Sequence, residues 1–206
     1  ALPITGAGQT INGTLTLGSI DSPTKGAVDP GAHITKEVGA TGYTFSAIRF
    51  SAGSAEKLRV KSIRWYQSGS AGAGDIANLK TYDITNGKTY DNVVSADGKY
   101  FTATFGDGIV VDKGNTIEFS IKGDVAGGSG RTIKFDIYKR TDLYVTGETY
   151  GYGVTAAVGT NACTTTTFNG LFCTANPWYN AYTVTVSNGT LTVEKANSVA
   201  AQNIAV

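Results

Sequence analysis

Apolar and polar positions alternate with period two along much of the chain. In Thr116–Lys122, Ile117, Phe119 and Ile121 share one face, while Thr116, Glu118, Ser120 and Lys122 share the other. Arg131–Lys139 repeats the pattern with Ile133, Phe135 and Ile137, and Tyr182–Val186 follows it too. Ala47–Phe50, Leu58–Trp65, Tyr100–Phe105 and Leu191–Val193 are further candidates. A two-residue period with one apolar face predicts half-buried strands, with Glu118 facing solvent. Turn signals separate these stretches: Ala52-Gly53-Ser54, Asn86-Gly87, Asp97-Gly98, Asp107-Gly108, Lys113-Gly114-Asn115 and Gly127-Gly128-Ser129-Gly130. Hairpin turns need positive φ, which Gly and Asn adopt at little cost. Helical spacing is nearly absent; one turn is predicted at Gly74–Leu79, capped by Asp75. Many short strands at close spacing predict an all-β fold, a single β-sandwich or jelly roll with an extended terminal strand.

The two ends echo each other. Asn12-Gly13-Thr14-Leu15-Thr16-Leu17 near the start returns as Asn188-Gly189-Thr190-Leu191-Thr192-Val193 near the end. This divides the chain into an N-terminal extended strand over 1–20, a sandwich over 21–193 and a C-terminal extension over 194–206. If such a strand closes a module's sheet, each chain owns two and needs one. The spare can complete a neighbour's sheet through main-chain hydrogen bonds, with alternate side chains filling a groove. A head-to-tail contact of this kind does not close on itself and yields a fibre. The other reading is two similar edge strands within one sandwich. Ile4, Ile11, Leu15 and Leu17 are the candidate donor residues; Leu191, Val193, Ile204 and Val206 form the second candidate strand.

Composition sharpens the class. Gly occurs 27 times in 206 residues, and charged residues make up 16%, against about 25% in ordinary domains. Such Gly- and hydroxyl-rich surfaces are associated with extracellular proteins. Lys and Arg number 17 against 16 for Asp and Glu, so no basic field points to nucleic acid. The two cysteines, Cys163 and Cys173, flank Asn169-Gly170. A tight turn midway between them would bring them together, which predicts a disulfide and an oxidising compartment. Free thiols or half a metal site is the other reading, disfavoured by the lack of CxxC and the single His33. No transmembrane stretch is present. The start at Ala1 and the absence of Met are read as a mature exported chain whose leader was removed.

The run Ser46–Ile63 joins a strand, a small-residue turn (Ser51-Ala52-Gly53-Ser54), a charged pair (Glu56-Lys57) and a second strand. It continues into Gly69-Ser70-Ala71-Gly72, Asp75–Leu79 and Thr81-Tyr82-Asp83, and later into the Lys113-Gly114 turn before Thr116–Lys122. Over roughly residues 40–193 this resembles the β-sandwich modules of prokaryotic surface and S-layer-type proteins. The chain also resembles jelly-roll subunits of donor-strand filaments: bacterial biofilm fibres, archaeal bundling pili and archaeal cannulae. The resemblance implies a polymerising subunit at the cell surface.

Catalytic chemistry finds little purchase. His33 lies outside any nucleophile elbow. Glu37, Glu56, Glu118, Glu148 and Glu194 are available as a carboxylate pair, but a β protein of this size always offers such candidates. No enzyme activity is expected. No cofactor is expected either, with calcium the one candidate: Asp83, Asp91, Asp97 and Asp107 sit in turn-rich regions beside Asn86 and Asn92. Asx side chains in turns also serve as local hydrogen-bond acceptors. Trp65-Tyr66, Trp178-Tyr179, Tyr144, Tyr150 and Tyr152 are candidate platforms for sugar rings. Trp65 reads as core, and Pro177-Trp178-Tyr179 as exposed. A carbohydrate-binding module is therefore the alternative function. Asn12 and Asn188 head Asn-x-Thr sequons. Leu2-Pro3-Ile4-Thr5-Gly6 matches a sortase motif, but sorting signals precede a C-terminal apolar segment and basic tail, so it reads as coincidence. The sequence thus favours an extracellular structural subunit whose partner is another copy of itself.

Overall fold

The computed structural model describes residue 13, residues 15–163 and residues 170–189. The strands are β1 (Ile20–Lys25), β2 (Ile34–Glu37), β3 (Tyr43–Ala52), β4 (Leu58–Gln67), β5 (Ile76–Asp83), β6 (Lys88–Val94), β7 (Tyr100–Val111), β8 (Thr116–Val125), β9 (Thr132–Ile133), β10 (Phe135–Asp136), β11 (Leu143–Gly147), β12 (Gly153–Val154), β13 (Leu171–Phe172), β14 (Tyr179–Asn180) and β15 (Val184–Ser187). Two 3-10 turns, Ala73–Asp75 and Arg140–Asp142, are the helical pieces among the described residues. The all-β expectation holds.

The main sheet runs β1-β3-β8-β5-β6-β7-β4-β11-β12, with β10 also on β4. It folds over on itself at β6. Lys88–Asp91 pair with β5, and the next residues, Asn92–Val94, pair with β7. Asn92 holds this corner: its Oδ1 accepts from Thr81 Oγ1 at 2.7 Å and its Nδ2 donates to the Leu79 carbonyl at 3.0 Å. Thr81 in turn accepts the indole N–H of Trp65 at 3.1 Å, which ties β5 to β4 across the interior.

The two halves face each other through aromatic rings. Phe105 on β7 stacks on Phe119 of β8 at 5.0 Å, and Phe45 on β3 meets Phe135 of β10 at 5.7 Å. Such pairs add about 0.5–1.5 kcal/mol each beyond the area they bury. The sandwich is covered at one end by the small sheet β2-β15-β9, in which β15 runs parallel to β2 and antiparallel to β9.

Three local expectations change. Glu118 is buried, because β8 is central and covered on both faces; its Oε1 accepts the Val28 N–H at 3.0 Å. The turn expected at Gly74–Leu79 shrinks to Ala73–Asp75, and Ile76–Leu79 are strand. Gly72, not Asp75, is its N-cap; Asp75 is the third residue of the turn, and its carboxylate reaches back to accept the Gly72 N–H at 2.7 Å. The alternating run Arg131–Lys139 divides at Lys134: Ile133 pairs with β15, whereas Phe135 and Asp136 pair with β4. The side chains still alternate, but the backbone passes from one sheet to the other. Leu191–Val193 lies outside the described residues.

Candidate functional site

Folding a sheet about one corner leaves its two ends facing each other. Here β1 and β12 end the strand order, and among the described residues each has a strand partner on one side only. A groove separates them. Leu17, Ile20 and Asp21 form one wall and Tyr152, Val154 and Ala156 the other, around about 350 Å³. A second hollow of about 460 Å³ shares Ala157 and continues past Pro23 and Lys25, with Val158 and Phe172 on its far side. Tyr152, Val158 and Leu17 are 60%, 55% and 43% exposed, three of the eleven large apolar side chains exposed among the described residues.

The edge itself is interrupted. Register between β1 and β3 shifts between Asp21 and Thr24, Ser22 takes φ 48°, and Pro23 lacks an N–H. A bulge and a proline blunt an edge against indiscriminate pairing. Backbone pairing along this edge is therefore confined to short stretches on either side of Pro23.

Glu56 anchors the mouth of the groove. It is buried on the turn between β3 and β4, and its carboxylate accepts three backbone N–H groups: Gly18 at 2.8 Å, Thr149 at 2.8 Å and Tyr150 at 3.4 Å. It thereby ties the segment entering β1 to the turn that leads into β12. Burial pushes the Glu56 carboxyl up, but these N–H groups, with Lys113 nearby, outweigh it and hold the group below the usual carboxylate range. Leu15 and Leu17 are exposed just before this anchor. Ile4, Ile11 and Asn12 precede the described segment, and Leu191, Val193, Ile204 and Val206 follow it. Asn188 is exposed at the end of β15.

The far wall, Tyr152–Asn161, is a feature that the sequence analysis did not single out. Its signal is only a run of small residues, Gly153-Val154-Thr155-Ala156-Ala157-Val158-Gly159. Gly159 has a reason: a Cβ there would lie 2.0 Å from the Phe172 backbone. Cys163 and Cys173 form the expected disulfide, Cα to Cα 5.5 Å, and Cys173 directly follows β13.

The other candidates disperse. Asp83 is buried and accepts both the N–H and the Nδ2 of Asn86, at 3.0 and 2.6 Å. Asp91 is exposed and pairs with Lys80 at 3.0 Å. Asp97 holds its own turn through the Ser95 hydroxyl and the Lys99 N–H. These aspartates do not converge, and among the described residues no group of three His, Cys, Asp or Glu side chains gathers to hold a metal ion.

The proposed stacking pair Trp178-Tyr179 is corrected outright, at 2% and 0% exposed. The Pro177-Trp178-Tyr179 segment runs back along Ile137 and Tyr138, which turns both rings inward. Trp178 packs on Phe172 at 4.7 Å and donates to the Ala157 carbonyl at 3.0 Å, so it supports the groove wall from behind. Trp65 is core, as expected. Tyr144, Tyr150 and Tyr152 remain exposed, Tyr152 within the groove.

No protein-family model matches the chain, and no curated protein matches it. Among solved structures it is similar to the seventh ScaB type I cohesin of Pseudobacteroides cellulosolvens, at 12% identity and TM-score 0.41 over 88% of this chain and 99% of that one. It is also similar to AvmM, which catalyses macrocyclization in alchivemycin A biosynthesis, at 8% identity and TM-score 0.36 over 86% of this chain and 92% of that one. Likenesses at this level carry no functional argument.

Proposed function

We propose that the protein is a non-enzymatic structural subunit that assembles head to tail outside the cell, each copy laying a terminal strand into the groove between β1 and β12 of the next. The observation that carries this reading is the pair of strand edges, unpartnered among the described residues, that face one another across an apolar groove. The N-terminal segment supports it. Glu56 fixes the chain at Gly18, on the rim of that groove, and fourteen residues precede Leu15. Fully extended, fourteen residues span roughly 45 Å, ample for the roughly 20 Å that a six-residue strand such as β1 occupies. The disulfide and the low charge content favour an oxidising, extracellular setting.

The test is electron microscopy of the full chain beside a variant lacking residues 1–14, which keeps the Gly18 anchor. Filaments from the full chain that vanish on truncation support N-terminal donation. Filaments that survive truncation but vanish without residues 190–206 move the donor to the other end. A full chain that stays monomeric overturns assembly and leaves glycan binding at the exposed tyrosines as the reading to pursue.

A further inference from the structure

Away from the groove, at the junction where the backbone changes sheets, a lysine, an asparagine and an aspartate meet beneath the surface. Lys134 lies between β9 and β10, Asp136 ends β10, and Asn180 ends β14. The Lys134 Nζ is 2.5 Å from the Asn180 Oδ1 and 3.8 Å from an Asp136 oxygen. The Lys134 side chain is 18% exposed, Asn180 is 7% and Asp136 is 1%. Tyr66 and Tyr138 line the same hollow, their rings 5.3 Å apart.

As an ion pair this arrangement is poor. A largely desolvated ammonium normally requires a close, well-aligned carboxylate. Here the carboxylate stands off, and the short contact is to a neutral amide. Asp136 is occupied elsewhere, accepting the Ser68 hydroxyl at 2.6 Å and the Ala181 N–H at 2.7 Å. Burial pushes its carboxyl above the ordinary carboxylate range, against the pull of Lys134, Ser68 and Ala181.

As a reactive site the arrangement is coherent, and we infer that Lys134 and Asn180 join in an intramolecular isopeptide bond, with Asp136 as the general acid and base. A side-chain oxygen 2.5 Å away places its carbonyl carbon roughly 3–4 Å from Nζ, at or near the separation of a near-attack conformer. One Nζ proton passes to the Asp136 carboxylate, leaving a neutral amine. The amine lone pair attacks the Asn180 Cγ, and the protonated Asp136 donates a hydrogen bond to the developing oxyanion at Oδ1. A proton then reaches Nδ2, the Cγ–Nδ2 bond breaks, and ammonia leaves. Amine and primary amide become a secondary amide and ammonia, with no oxidant, reductant or water consumed.

The product replaces a buried charge by a neutral amide. It also links the chain at β10, which pairs with β4 of the main sheet, to β14 just before β15. The linkage encloses the segment that carries the disulfide, so a load on the C-terminal part of the chain would bypass residues 135–179.

Intact-mass measurement of the folded, disulfide-reduced wild type tests this directly. The expected mass is that of the sequence less one ammonia, with tandem spectra placing the link between the Lys134 and Asn180 peptides. Lys134→Met, Asn180→Ala and Asp136→Asn should each carry the full mass, and Asp136→Asn serves as the folded control with both reacting groups present. Full sequence mass in the folded wild type overturns the inference. So does an ammonia loss that maps to Asn86-Gly87 or another Asn-Gly as a succinimide, or that persists in Lys134→Met.

Discussion

The Glu56 carboxylate accepts the Gly18 backbone N–H at 2.8 Å, at the end of the antiparallel β1–β3 pair where Ile20 faces Ala52, although the two residues are 38 positions apart in the chain. The same carboxylate holds Thr149 and Tyr150, so one buried side chain fixes both rims of the groove. Glu56→Ala should cost about 2–3 kcal/mol, because three N–H groups lose a charged acceptor in a buried site. The sign of the pH dependence follows from the lowered carboxyl: its stabilisation is fully present above the unfolded value of about 4.3 and is lost as pH falls through the lower folded value. Chemical denaturation across acid pH should show this slope in the wild type and a flatter curve in Glu56→Ala.

Tyr179 gives the opposite dependence. Its hydroxyl donates to Asp29 Oδ2 at 3.0 Å in the interior, and burial first, then Asp29, push it well above the ordinary phenol value. Tyr43 is likewise pushed up to about 12 by burial and Asp29. Groups raised in the fold contribute stability that is intact below the unfolded value, about 10 for tyrosine, and lost above it. Spectrophotometric titration should therefore find Tyr179 silent until the fold opens at alkaline pH. Tyr179→Phe should remove that step and lower stability by about 1–2 kcal/mol.

The groove separates assembly from folding. Val158 is 55% exposed on its far wall, so Val158→Lys should change stability by less than about 0.5 kcal/mol. A charge there would have to be desolvated by an incoming strand. Light scattering should show that the variant fails to polymerise at an unchanged melting temperature; normal polymerisation would place the contact elsewhere.

Gly159→Ala acts on the same wall through packing. A Cβ would meet the Phe172 backbone at 2.0 Å, and backbone cannot swing aside as a side chain can. The expected loss is about 1–3 kcal/mol. Hydrogen exchange should locate the loosening at 157–161 and β13, with the β6 corner unaffected.

Opening the loop that the disulfide closes should cost about 2–3 kcal/mol in the chain-entropy account, since Cys163 and Cys173 are ten positions apart. Cys163→Ser with Cys173→Ser, followed by denaturation, measures it.

Strand existence was legible along Ala47–Phe50, Leu58–Trp65 and Tyr100–Phe105, because alternation reports burial of one face directly. The disulfide was legible too, from a turn set midway between two cysteines. Glu118 and the Trp178-Tyr179 pair were not. The fate of each depends on what lies across from it: the Gly26–Val28 segment lies over Glu118 on β8, and Ile137–Tyr138 draw the Trp178 segment inward. Asp83 and Asn86 illustrate the same limit at a turn, where metal-ligand chemistry and local hydrogen bonding use the same residue types.

Period, turn chemistry and cysteine spacing are local properties, and they suffice to read the chain as all β, stapled by one disulfide and punctuated by glycine turns. The folding of the main sheet about β6, which leaves β1 and β12 facing a groove, emerges from the three-dimensional pairing alone. Only the tertiary structure brought Lys134, Asp136 and Asn180 together. Strand order and the proximity of distant side chains arise from long-range pairing, which no local pattern encodes.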